Sequence, residues 1–293
     1  MPLGTRSRGV AVVSAALLIT SVAAATASAA TAKVPTGRYV SLGDSYVSGP
    51  LIADQVNLGC LRSDKNYPSL TAASIGSTSF VDASCSGATT VNMTQSQSTL
   101  GVTVNAPQLN SVTSSTQLVT LTIGGNDIDF VSIITTCAEE SLTNPFGDPC
   151  TSHYTSGGTD QLAALINATE PKVATVLKEI HTLAPQARVL VVGYPDILPQ
   201  NSGCWPLEPI AYGDVSYLRQ TEQRLNSMLA TAAAANSAQY VDTYTPTIGH
   251  DICQAAGTKW IEGLIPLSSA APFHPNALGE AAMARAVEAA LKS

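Results

Sequence analysis

Five short apolar runs punctuate the chain, at 39–42, 79–82, 118–123, 189–192 and 240–241. The third and fourth, "LVTLTI" and "VLVV", are β-branched and are not interrupted by alternating polar residues. Such strands are buried on both faces, as in a parallel sheet covered by helices. Between the runs lie stretches of helical period. Residues 160–185 carry apolar positions at helical spacing, with Pro171 expected to split the helix or to start its second piece. Residues 215–235 put Leu218, Leu225 and Leu229 on roughly one face, and 276–293 close the chain with strong helix formers. This alternation predicts an α/β fold of three α/β/α layers. Two segments, 136–158 and 194–209, are rich in Pro, Gly, Asn and Cys and too long for simple connectors, so they are expected to wall a cleft. There is no linker, internal repeat or low-complexity tail.

The amino-terminal pattern is different. Residues 1–10 carry Arg6 and Arg8 and no acid, 11–25 are apolar, short and rich in alanine, and Ala27-Ser28-Ala29 follows as a small-residue cleavage site. That is the anatomy of a secretory signal peptide. The expected organisation is therefore a signal over 1–29 and a single domain over 30–293, released outside the cell. A retained anchor is the competing reading, but Leu17, Leu18 and Ile19 are its only strongly apolar cluster, and no later segment reaches membrane-spanning length. Loss of Arg6 and Arg8 leaves 12 basic against 21 acidic residues, a net charge of −9. An acidic, sparsely charged surface argues against nucleic acid as a partner, and a monomer without stable membrane insertion is expected. Six cysteines form an even set in an exported chain, so three disulfides are expected. No pair has the C-x-x-C spacing of a zinc hairpin. Sequential pairing, Cys60–Cys85, Cys137–Cys150 and Cys204–Cys253, would clip one loop-rich insertion with each bridge.

In open parallel sheets ligands bind outside the carboxyl ends of the strands. The residues that follow each strand are therefore the useful ones. They are Gly43-Asp44-Ser45, then "ASCSGATT" with Gly87, then "GGND" at 124–127, then "GYPDILP"; "APFHPNALGEAA" with His274 precedes the last helix. This set suits acyl transfer. A serine hydroxyl needs a base, imidazole is the base suited to neutral pH, and the oxyanion formed by attack needs fixed N–H donors. The backbone amides of Ser45 and Gly87 and the side-chain amide of Asn126 could supply those donors.

"GDSY", a glycine after the second strand, "GGND" and "HPN", in that order, resemble the four blocks of the SGNH (GDSL) hydrolases, and the resemblance spans nearly the whole chain after the signal. The secreted, three-disulfide layout is most similar to the extracellular bacterial lipases and esterases of that family. The resemblance implies a flavodoxin-like sheet of five parallel strands, with Ser45 as nucleophile, His274 as base, and Ser45, Gly87 and Asn126 as the oxyanion hole. It implies no cofactor and no metal. The substrate implied is a small-molecule or lipid ester, phospholipase A-type and carbohydrate acetyl esterase activities remaining open beside a lipase. The G-x-S-x-G elbow of another hydrolase fold is absent, since Tyr46 and Val47 follow Ser45. One position departs from the pattern. Many members carry an Asp three residues before the histidine, where this chain has Ala271. The carbonyl of Ala271 or Pro272 is expected to orient the imidazole instead, with Asp251 and Asp196 as rivals. Asp44 is expected to brace its turn, and Tyr46 and Trp205 to line the cleft or pack beside it. His181, His153 and the His250-Asp251 pair read as structural or solvated. A secreted ligand-binding module, in which Ser45 and His274 never react, is the alternative outside enzymology.

Overall fold

The computed structural model describes residues 1–5, 9, 34–200 and 203–293. The expected signal, 1–29, lies outside the described residues except for 1–5 and 9. The chain divides into two units, Met1–Thr31 and Ala32–Ser293, and the elements below all belong to the second.

Five strands, β1 (Arg38–Gly43), β2 (Ser79–Asp82), β3 (Thr116–Thr122), β4 (Arg188–Val192) and β5 (Gln239–Val241), form one all-parallel sheet in the order β2-β1-β3-β4-β5. The two-residue period of a strand splits the sheet's side chains between two cores. Val40, Leu42, Val119, Leu121, Val189 and Val191 join one, and Tyr39, Leu118, Leu190 and Val192 join the other. Among the described residues seven α-helices follow in chain order: α1 (Ser45–Ser48), α2 (Tyr67–Ile75), α3 (Phe130–Ser141), α4 (Pro149–Thr155), α5 (Gln161–Leu183), α6 (Val215–Ala235) and α7 (Ala277–Leu291). Helices α3, α5 and α6 cover the first core, and α2 and α7 the second. Both faces are thus sealed, which is why the strands read as continuous apolar runs. No helix among the described residues is long and apolar enough to cross a membrane.

Two expectations are corrected. Pro171 lies inside α5 and neither breaks it nor starts a second helix. Its buried stripe, Leu162, Ile166, Thr169, Val173, Val176, Leu177 and Ile180, runs across the proline without interruption. Burial of that stripe outweighs the roughly 3 kcal/mol that an interior proline costs. The segment 136–158 is not a plain loop, because the end of α3 and all of α4 lie within it. The disulfide Cys137–Cys150 joins those two helices. The other bridges are Cys60–Cys85 and Cys204–Cys253.

Candidate active site

The turn after β1 is over-determined. Gly43 has φ of +150°, and a Cβ there would stand 2.4 Å from the Thr122 carbonyl oxygen, so β1 and β3 approach closely only because this residue is glycine. The side chain of Gln108 closes on the same residue, accepting from the Gly43 N–H at 2.7 Å and donating to its carbonyl at 2.9 Å. Asp44 then caps α1 by accepting from the Tyr46 N–H at 3.0 Å. Ser45 is the first residue of that short helix.

His274 reaches Ser45 from a loop 229 residues further along the chain, its Nε2 2.7 Å from the serine Oγ. Its Nδ1 is 2.7 Å from the Pro272 carbonyl oxygen. A carbonyl can only accept, so Nδ1 carries the hydrogen, Nε2 is the free lone pair, and the Ser45 hydroxyl donates to it. The Ala271 carbonyl does not face the ring; it accepts from the His274 backbone N–H at 3.2 Å. Of the two expected carbonyls, the one at 272 holds the imidazole, because the turn bends the other back into the main chain. Neighbours fix the loop. The Tyr46 ring stacks on the imidazole with centroids 4.8 Å apart, and its hydroxyl donates to the Phe273 carbonyl at 2.7 Å. Phe273 itself is held at φ of +61°, a conformation costly for a bulky residue. Asn276 caps α7 and donates to Glu262 Oε1 at 2.7 Å, while Glu262 exchanges backbone hydrogen bonds with Phe273 and His274.

Hydrogen bonds draw the remaining turns together. The Cys85 N–H donates to the Gly43 carbonyl at 3.0 Å, bringing the Gly87 turn (φ +78°) beside that of Ser45. Asn126 donates one amide hydrogen to the Ala88 carbonyl at 2.9 Å, which leaves its second hydrogen available. Asp127 accepts from the Thr90 N–H at 2.9 Å and from the Thr90 hydroxyl at 2.6 Å, stapling the same two segments. Ser45, Gly87, Asn126 and His274 are therefore on linked turns at one edge of the sheet.

Asp196 and Asp251 are engaged elsewhere. Asp196 accepts from Gln200 at 3.2 Å, and Asp251 from the Cys253 N–H and the Gln254 amide, both at 2.9 Å. His250 stacks on Trp260 at 3.4 Å and bonds the Thr258 carbonyl at 2.6 Å, a structural placement. His153 lies 3.3 Å from Glu140 at the surface. Trp205 does not reach the cavity beside Ser45; its carbonyl accepts from the Tyr212 hydroxyl at 3.1 Å.

That cavity opens beside Asp44, Ser45, Asn126 and His274. Its walls are Ile128, Phe130, Ile133 and Ile134 on one side and Tyr194, Ile197, Leu198, Leu218 and Leu225 on the other. The wall expected from 136–158 comes instead from residues just before it, because the buried face of α3 turns Ile133 and Ile134 inward. Burial pushes His274 down to about 4, against the upward pull of the Pro272 carbonyl. Burial also pushes the Asp44 carboxyl up to about 7, with the hydrogen bonds from Tyr194 and Tyr46 opposing and the Asp127 charge reinforcing the shift. Sequence reasoning missed Gln108, Tyr194 and Glu222. The only signal available for Tyr194 was its place directly after a buried strand, in "GYPDILP".

The chain is similar to known ester hydrolases. The model of the GDSL-like Lipase/Acylhydrolase family matches residues 41–282. Lipase 2 of Streptomyces coelicolor is 43% identical over 267 residues, which cover 89% of this chain and 88% of that protein. Phospholipase A1 from Streptomyces albidoflavus NA297 aligns with a TM-score of 0.73 at 29% identity, covering 88% of this chain and 100% of the other. An extracellular lipase from Streptomyces rimosus aligns at 0.71 and 29%, covering 87% and 99%. Fold and relatives together define a carboxylic ester hydrolase. Within that class, the chain belongs to the GDSL-like lipase/acylhydrolase family, whose matched span includes Ser45, Gly87, Asn126 and His274.

Proposed function

We propose that the protein is a secreted lipase or esterase that cleaves acyl esters of lipids through an acyl-enzyme on Ser45. The observation that carries this reading is the 2.7 Å contact between His274 Nε2 and Ser45 Oγ at the mouth of an apolar cavity. His274, neutral and held by Pro272, takes the serine proton as Oγ attacks the ester carbonyl carbon. The resulting oxyanion is met by the backbone N–H groups of Ser45 and Gly87 and the free amide hydrogen of Asn126. The imidazolium then gives its proton to the departing alcohol. Water, deprotonated in turn by His274, releases the acid and restores the serine. The Pro272 carbonyl does the tautomer-fixing work of the usual carboxylate, at the cost of a weaker hold on the imidazolium. The acyl chain enters the cavity between α3 and α6, whose lining is mainly apolar.

Removal of 1–29 during export, a domain over 30–293 and action as a monomer complete the proposal; three disulfides support an oxidising destination. Relatives described as a lipase and as a phospholipase A1 favour lipid esters over sugar acetates. A serine-directed phosphonate followed by intact-mass measurement tests the mechanism. One adduct, lost in Ser45→Ala, supports it; an unlabelled native protein would favour a binding module. A panel of nitrophenyl esters from acetyl to palmitoyl, with phosphatidylcholine alongside, tests the substrate class. Strong preference for acetyl overturns the lipid assignment.

A further inference from the structure

Glu222 is out of place in an apolar cavity. It shares one face of α6 with Leu218, Thr221 and Leu225, at the spacing that aligns side chains along a helix, and all four line the cavity. The other carboxyl on the cavity wall, Asp44, is fully occupied by the Tyr46 N–H and the Tyr194 hydroxyl. Glu222 is not. Its two oxygens share a single donor, the Ile197 N–H, at 3.3 Å each, and it has no other hydrogen-bond partner and no ion pair among the described residues. That donor lies beyond the end of β4, while Ser45 lies beyond the end of β1, two strand spacings away across the sheet. Two spacings are about 10 Å. The carboxyl and Ser45 line one cavity, the space that an acyl chain attached to Ser45 would fill.

We propose that Glu222 is a specificity-determining residue, its carboxyl interrupting the apolar wall of the acyl cavity and setting how long a chain the enzyme accepts. The proposal rests on the reading that this cavity holds the acyl chain. A neutral carboxyl tolerates a methyl terminus beside it, whereas an ionised one must keep water that the chain would expel. Chain length and pH are thereby linked at one residue. The groups around Glu222 favour its neutral form. Burial pushes its carboxyl well above the usual range, the Asp196 charge adds to this, and the Ile197 N–H opposes it. Tyr46 on α1, Tyr240 on β5 and Tyr244 just after β5 face the same carboxyl, and none offers a positive charge. Arg219, one turn earlier on α6, donates to the Pro199 carbonyl at 3.1 Å and acts on Asp196.

The test is a chain-length series of nitrophenyl esters, butyryl to palmitoyl, with kcat and KM measured at about pH 6 and about pH 9. Glu222→Gln removes the ionisation, Glu222→Leu removes the polar end, and Leu218→Phe narrows the cavity as a control. In the wild-type protein KM for octanoyl and longer esters rises with pH as the carboxyl ionises, and more than it does for the butyryl ester. Glu222→Gln abolishes that rise, and Glu222→Leu moves the preference toward longer chains. If both variants keep the wild-type pH dependence and chain profile while Leu218→Phe shortens the preferred chain, the cavity reading stands and the role of Glu222 is wrong. If Leu218→Phe also leaves the profile unchanged, the chain lies elsewhere and the proposal fails with that reading.

Discussion

The Tyr194 hydroxyl donates to Asp44 Oδ2 at 2.6 Å and accepts from the Gly125 N–H at 2.8 Å. One phenol thus joins the turn that carries Ser45 to the turn that carries Asn126. The Tyr194 ring also meets that of Tyr46 edge-on at 5.0 Å, and Tyr46 stacks on His274. Ser45, His274 and the Asn126 turn are braced by two buried tyrosines.

Tyr194→Phe breaks this brace. It removes the hydroxyl that favours ionised Asp44 and leaves the Gly125 N–H without an acceptor, at a cost on the order of 1–3 kcal/mol. Urea unfolding measures the stability loss. Turnover falls more than KM rises, because the variant disturbs alignment of the reacting groups rather than the acyl cavity. A variant with unchanged kcat would show that the phenol matters only for folding.

In the proposed mechanism the pH dependence of kcat/KM follows from His274. Below its pKa the imidazole is protonated and cannot accept the serine proton; above it, the base is free. Burial holds that pKa at about 4 rather than the ordinary 6.5. Activity on a butyryl ester is therefore expected to persist into mildly acidic solution, its acid limb lying near pH 4. A limb near 6.5 contradicts the neutral, carbonyl-held imidazole.

Replacing the two rival acids separates the dyad from a triad. Asp196→Asn and Asp251→Asn keep kcat within a few-fold of wild type, whereas His274→Ala loses at least about a hundredfold. Steady-state kinetics on one soluble ester decides it. A loss at either aspartate as large as that at His274 would falsify the carbonyl assignment.

Asp44 links stability to pH. Its carboxyl titrates near 3.8 when free and at about 7 in the folded protein, so between those values the native state binds more protons than the unfolded one. Stability therefore falls as pH rises across that window. Glu222 and Glu280, also raised by burial, act in the same sense. In Asp44→Asn the decline between about pH 4 and about pH 7 is shallower, as chemical denaturation at each pH will show.

The Cys60–Cys85 bridge holds the Gly87 turn against the rest of the fold, since the Ser86 N–H also donates to the Cys60 carbonyl at 3.0 Å. The double variant Cys60→Ser, Cys85→Ser is expected to lose about 2–5 kcal/mol. Its melting temperature falls, and kcat falls with it as the Gly87 amide loses its position.

Much of the fold was legible because burial on both faces leaves a local mark. A strand such as Arg188–Val192 reads as an apolar run, VLVV, wherever it lies in the sheet, and the helix Val215–Ala235 shows its buried stripe at helical spacing. Pro171 misled because a local breaker was weighed without the long apolar stripe that packs the helix on both sides of it. Ser45, Gly87, Asn126 and His274 stood out for a similar reason: each sits in a short motif beside an element end, where backbone geometry restricts the residue types.

What the sequence determined by itself was therefore the five strands of the sheet and its three longest helices, the edge at which chemistry could occur and the family to which the chain is similar. The tertiary structure alone decided that Pro272, not Ala271, Asp196 or Asp251, holds the imidazole. It alone revealed Gln108, Tyr194 and Glu222. Their partners lie 65 residues away for Gln108 and Gly43, and 150 for Tyr194 and Asp44. A hydrogen bond of that kind depends on where two distant segments cross, and no periodicity or motif along one chain records the crossing.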